Sequence, residues 1–231
     1  MPPATPLLRP GRFFAERGID GPRTLAVALA VLGSLPLGIL GVGYVLRARI
    51  DGTVRVDNPN RPSERFCEGM ANSMDFGCDE PAQIERNIDA ILSEAVGELI
   101  GPALIGIVLA VLLIGGALHA GSWLFDGENG VKASFAVAIW GLLPSLISLF
   151  VGVLLLFVVL DPITVTPRDD PSVMTERVRA DLAPLLRWQP LLSGATTLWS
   201  GVVWRAGLVE ARGLTSGEAT GVAGIVAILT W

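Results

Sequence analysis

Three observations predict an all-α integral membrane bundle of five spans with a kinked third helix. First, Ala133 to Leu160 is 28 residues without a charged side chain. At ~1.5 Å per residue a helix of that length reaches ~42 Å, more than the ~30 Å hydrocarbon core of a bilayer. Second, four other apolar stretches, 24–46, 99–118, 190–209 and 219–231, alternate with polar segments. Third, charged residues make up 17% of the chain against ~25% in soluble domains, a shift that one span on a soluble domain would not produce.

The first 23 residues form a tail. Arg12 and Arg17 flank Phe13 and Phe14. That pattern predicts a short interfacial helix, its rings in the headgroup layer and its guanidiniums toward phosphates; a partly ordered tail is the alternative. No cleavable signal pattern is present, so the first span is expected to stay attached. In that span, 24–46, Pro36 stands among Gly33, Gly38, Gly41 and Gly43. It is read as a packing kink, since membrane helices tolerate Pro and their small residues allow close approach.

Arg47 to Ala95 is polar, with ten acids and six Arg. Ile50 to Asp57 alternates and predicts a short strand. Cys67 and Cys78, the only cysteines, lie in a loop rich in Gly, Asn and Asp. A disulfide is expected if the loop faces an oxidising compartment, two free thiols being the alternative. From Pro81 the spacing of Ile84, Ile88, Ile91, Leu92 and Ala95 predicts an amphipathic helix leading into the second span, 99–118, where Pro102 is a second kink site. His119 ends that span as a boundary hydrogen-bonding residue, a proton relay being less favoured.

Pro144 is the third kink site, near the middle of the central stretch. Asp161 to Gln189 is polar, extended at first around Pro162, Pro167 and Pro171. From Ser172 to Trp188 it predicts an amphipathic surface helix. The fourth span, from Pro190 to Val209, holds Arg205, a costly residue in hydrocarbon that should snorkel or pair. Glu218, near the start of the last short segment, is the expected ion-pair partner.

Function classes narrow by what the residues lack. A net charge of −5 argues against a nucleic-acid surface. There is no P-loop, Cys-x-x-Cys, nucleophile elbow or His cluster, so no catalytic, metal or cofactor site is expected and the protein is read as non-enzymatic. No acid falls near the middle of a span, which weakens a transporter reading. A passage lined by hydroxyls such as Ser145, Ser148, Thr196 and Thr197 stays open.

The arrangement resembles the Yip family of small multi-span membrane proteins, named for interaction with Ypt/Rab GTPases. The residues that carry the resemblance begin with Pro10-Gly-Arg-Phe-Phe14, His119, and Gly127 with Gly130. Trp140-Gly-Leu-Leu-Pro144, Trp199, Trp204-Arg-Ala-Gly-Leu208 and Ser216-Gly-Glu-Ala219 complete them. It covers nearly the whole chain apart from the cysteine loop at about 48–80, read as an external acidic insertion in a Yip-like domain of 24–231. The resemblance implies five spans, the N-terminus cytoplasmic and the C-terminus external, and it looks like the prokaryotic branch. Within it, the resemblance is to the salt-adapted archaeal members, and sixteen Arg against a single Lys with an acidic balance fit a salt-adapted organism. GTPase binding does not carry over, because the family's Asp-Leu-Tyr-Gly-Pro motif has no match and the only Tyr, Tyr44, lies in a span.

The function expected is therefore a scaffold or interaction protein of the cell membrane, its partners the bilayer and other membrane proteins. The alternative is a small transporter or channel component built on Pro36, Pro102 and Pro144. The positive-inside rule is equivocal: four Arg lie in the tail, but ten lie in the segments placed outside.

Overall fold

The computed structural model describes residues 5–69, 77–169 and 171–230. The chain is mostly helical. Its elements are α1 (Pro10–Arg17), α2 (Gly21–Arg49), β1 (Ile50–Asp57), α3 (Glu64–Gly69), β2 (Gln83–Asn87) and α4 (Ile88–Trp123). They are followed by α5 (Gly130–Gly141), α6 (Leu143–Val159), β3 (Ile163–Val165), α7 (Pro171–Arg212) and α8 (Ser216–Thr230). Among the described residues three helical stretches are long and apolar enough to cross a membrane: α2, α4 and the α5–α6 run Gly130–Val159. Each holds an 18-residue window of high mean hydropathy, 2.3, 2.5 and 2.8 in turn. α8 is apolar but only 15 residues long.

Large apolar side chains are left on the outside. Leu25, Leu29, Leu37 and Tyr44 on α2, Leu113 on α4 and Leu154 on α6 are all exposed. In water such a surface would be unfavourable; facing lipid it is the expected outer face. The interior is made of close helix contacts. A Cβ on Gly38 would lie 2.7 Å from Leu149, and one on Gly43 2.6 Å from Val96, so glycine lets α2 approach both α6 and α4.

The all-α expectation needs one correction, because a three-stranded sheet of order β2-β1-β3 gathers one end of the bundle. β1 is the strand that alternation predicts. Its antiparallel partner β2 occupies residues expected to begin a helix, with Thr53 opposite Asn87 and Asp57 opposite Gln83. The helix begins one residue later, and Asn87 caps it by accepting from the Asp89 N–H at 2.7 Å. β3 pairs parallel to β1, Ile50 opposite Ile163. Gly52, at φ +115, lies where a Cβ would be 2.0 Å from the Val165 carbonyl oxygen. The sheet ties the ends of α2 and α6 to the start of α4 over a small core of Ile50, Ile88, Leu160, Ile163 and Val165.

Two other expectations change. The surface helix of 172–188 and the fourth span are one helix, α7, 42 residues long with Pro184 and Pro190 inside it. Each proline removes one ladder hydrogen bond, but the flanking turns carry the helix across. Phe13 and Phe14 do not reach headgroups. They are 4% and 2% exposed and pack on Trp140, Val203 and Ala206, with Trp199 donating to the Leu7 carbonyl at 2.9 Å. α1 thus lies along α7 within the bundle. Arg12 bonds Glu16 at 2.5 Å on its outer side.

At the kink sites, α2 and α4 run unbroken through Pro36 and Pro102. The central stretch is interrupted at Leu142, which separates α5 from α6, and Pro144 sits in the first turn of α6, where its missing N–H costs little.

Candidate functional site

The end of the bundle opposite the sheet is joined by a polar knot centred on Arg212, the last residue of α7. Arg212 is 1% exposed. Its Nε donates to Ser122 Oγ at 3.0 Å, and its Nη1 donates to the Gly130 carbonyl at 2.7 Å and to the Glu128 carbonyl. Ser122 Oγ in turn donates to the His119 carbonyl at 3.0 Å. Burial lowers the Arg212 pKa from its ordinary value, but a guanidinium stays protonated in proteins. A cation is therefore held inside the protein by neutral oxygens, near the partial negative charge of its own helix end.

The turn between α4 and α5 is shaped to meet it. Asp126, Asn129 and Gly130 take left-handed φ values of 53, 60 and 62. The Glu128 N–H donates to the Arg212 carbonyl at 2.8 Å and Asn129 Nδ2 to the Ala211 carbonyl at 2.9 Å. Gly127 fits because a Cβ there would lie 2.8 Å from the Ser122 carbonyl and 3.1 Å from Arg212. Below the knot the Trp204 indole lies across Gly141, where a Cβ would be 2.0 Å from the ring nitrogen. That nitrogen donates to the Ala138 carbonyl at 3.3 Å. His119 Nδ1 is 3.5 Å from Ser134 Oγ, but Ser134 is fully buried and presents no nucleophile to a substrate.

Arg205 and Glu218 are not paired with each other. Arg205 Nε donates to Thr220 Oγ1 at 2.9 Å and its Nη2 to Ser216 Oγ. Glu218 is used elsewhere. Its carboxylate accepts from the Thr215 N–H at 2.9 Å and its own N–H donates to Thr215 Oγ1 at 3.4 Å. This is a capping box, in which two otherwise orphaned amides at the start of α8 are satisfied reciprocally. Glu218→Gln should therefore shift the melting temperature in detergent very little, because a Gln oxygen still accepts. Glu218→Ala should cost about 1 kcal/mol. Equal losses from both would point to a charge role instead.

At the sheet end Cys67 and Cys78 form a disulfide across 11 positions, Cα to Cα 5.6 Å. The interior of that loop, 70–76, and Trp231 at the end of the last expected span lie outside the described residues. Closing so short a loop is worth roughly 3 kcal/mol in the chain-entropy account. Cys67→Ser should lower the denaturation midpoint of the sheet end in that proportion, followed by proteolysis of the 58–80 loop.

Two cavities open beside these features. One, of about 570 Å³, lies between α1 and the starts of α2 and α5, with Thr24, Lys132 and Glu210 on its walls. The other, of about 340 Å³, lies beside the break at Leu142. Sequence reasoning singled out Ser145 and Thr197, and both line this second cavity. Ser148 and Thr196 instead bond each other at 2.5 Å. Arg212 and Ser122 were not foreseen as a pair; the one local sign was an Arg directly before a helix-ending Gly213.

Lipid-facing apolar helices, small-residue contacts and a buried polar knot at one end define a helical membrane protein. The chain belongs to the Yip1 domain family, which matches residues 5–230. No curated protein and no solved structure matches it.

Proposed function

We propose that the protein is a five-pass, non-enzymatic scaffold of the cell membrane, with its N-terminus in the cytoplasm and its C-terminus outside. The observation that carries this reading is the division of the polar residues. One end of the bundle is closed by the Arg212 knot. The other carries an acidic extension held in shape by the β2-β1-β3 sheet and the disulfide. A stapled polar platform beyond the apolar helices suits a partner outside the membrane. Five passes follow if the apolar half of α7 and the short α8 cross as a hairpin, tied by Arg205 to Ser216 and Thr220. The break at Leu142 supports reading the third pass as a kinked one. Sixteen Arg against one Lys and the acidic balance fit a salt-adapted organism, and the resemblance to the prokaryotic branch adds an archaeal source.

The orientation is tested on intact cells with an impermeant thiol reagent applied before and after an impermeant reductant. Labelling of Cys67 and Cys78 only after reduction is expected. Labelling only after lysis would invert the topology. The scaffold role is tested by co-purification: a partner retained by the full chain and lost when residues 58–80 are replaced by a short Gly-Ser linker supports it. Solute flux in reconstituted vesicles that is lost on mutating Pro144 or Arg205 would overturn it. The second reading, a small transporter or channel component, is favoured by one observation, the helix break beside the 340 Å³ cavity. Interrupted helices near the bilayer midplane are where transporters commonly hold solutes.

A further inference from the structure

The cavity beside Leu142 has chemistry that the scaffold reading leaves unused. Its polar wall is Ser145 on α6 with Thr197 and Ser200 on α7, and its apolar wall includes Leu113, Ile114 and Leu142. Ser200 is 3% exposed. Among the described residues none of the three hydroxyls of Ser145, Thr197 and Ser200 has a hydrogen-bond partner, although the other polar groups nearby do. Thr230 Oγ1 bonds the Val226 carbonyl at 2.9 Å, and the Trp204 indole bonds the Ala138 carbonyl. Thr197 and Ser200 are three apart on one helix and so share a face.

Depth makes this unusual. Ser200 is twelve residues before Arg212, about 18 Å along the helix at ~1.5 Å per residue, which is close to the middle of a ~30 Å core. A hydroxyl taken into hydrocarbon without a partner is unfavourable; Ser200 is buried, Thr197 half-buried and Ser145 at the exposed edge of the cavity, and together they call for something that bonds them. Lipid chains cannot. No ionisable side chain lines the cavity, so nothing there would balance a charged occupant. A volume of about 340 Å³ falls in the range of small-molecule pockets, and the mixed wall suits a molecule with a hydroxyl edge and a carbon edge.

We propose that this cavity is a binding site for a small, uncharged, polyhydroxylated solute of the glycerol class, held by Ser145, Thr197 and Ser200. This rests on the cavity alone. It holds whether the protein passes the solute across or only binds it, so loss of the scaffold reading would leave it standing.

The test uses the full chain in lipid nanodiscs. Both native cysteines are in the disulfide, so Ser200→Cys introduces the one reactive thiol among the described residues. Leu198→Cys is the control, since Leu198 is 72% exposed on the outer face of the same turn. Alkylation by iodoacetamide is expected to be at least tenfold faster at 200 than at 198. Glycerol should slow it saturably, while sucrose at equal viscosity should not. Thr197→Cys is the second reporter if Ser200→Cys does not fold, and the same pattern is expected of it. Equal rates at the two positions would mean a dry cavity and overturn the proposal. Fast labelling that glycerol does not slow would mean water alone, and protection by 1-decanol but not glycerol would mean a lipid occupant. Either result also overturns it.

Discussion

Arg212→Ala is expected to be the most damaging single substitution outside the apolar faces. The guanidinium satisfies Ser122 Oγ and the carbonyls of Glu128 and Gly130, and thereby joins the end of α7 to the end of α4 and the start of α5. Removing it leaves buried Ser122 Oγ and the part-buried carbonyls of Glu128 and Gly130 without this donor, and a void where a 1% exposed side chain had been. Leaving a buried acceptor unpaired costs about 1–3 kcal/mol, and the void left by the side chain adds to it. In detergent this should appear as a large fall in melting temperature, or as loss of folded protein on size-exclusion chromatography. Arg212→Lys should recover little, because an ammonium cannot reproduce the planar fork that reaches Ser122 and Gly130 in different directions. A Lys variant as stable as the parent would mean that the charge matters and the geometry does not. Changing pH between 6 and 9 should leave this contribution intact, since Arg212 stays charged throughout even with its pKa lowered by burial.

The second large effect is expected at the pair of Gly141 and Trp204. The indole is 2% exposed and rests on the glycine, with a Cβ there 2.0 Å from its nitrogen and 2.1 Å from Cδ1. Trp204→Ala should cost about 3–5 kcal/mol through lost contacts and the cavity left behind. Gly141→Ala should cost about 1–3 kcal/mol, because the indole must shift and give up its bond to the Ala138 carbonyl. The two effects should not add. With Trp204 already truncated the methyl at 141 meets nothing, so the second change should be close to neutral in that background. Additive losses in a double-mutant cycle of melting in detergent would show that Gly141 is required for the backbone and not for the indole.

How much was legible follows from whether each feature is local. The apolar runs that become α2, α4 and α5–α6 are long and continuous, and no soluble arrangement competes with that pattern. β1 was readable because alternation over Ile50 to Asp57 is a local signal. β2 was not, because Ile84 and Ile88 stand four apart and mimic helical spacing, while the strand exists only through its pairing with β1. The cap at Asn87 was written beside it, an Asn before Ile88-Asp89, but a longer helix hid it. Phe13 and Phe14 were misplaced for a related reason. Aromatic residues between arginines suit either a headgroup layer or a groove, and the groove is formed by Trp140 and Val203 far along the chain. Arg212 was illegible in its role, since its acceptors lie more than eighty positions earlier. Ser145 and Thr197 were named as hydroxyls in spans. Only the fold sets Ser200 beside them and leaves all three without protein partners.

Arg205 carries a consequence of another kind. It donates to two hydroxyls and is ion-paired with no carboxylate among the described residues. It lies seven residues before Arg212, about 10 Å along α7 at ~1.5 Å per residue, which in the proposed five-pass arrangement is about a third of the way across. A transmembrane voltage does work of about 2.3 kcal/mol on one elementary charge per 100 mV, and roughly a third of that for a charge a third of the way across. In the proposed orientation a negative interior draws Arg205 toward the cytoplasm, the direction in which α8 begins. If that orientation holds, the voltage favours the side of α7 on which Arg205 meets Ser216 and Thr220.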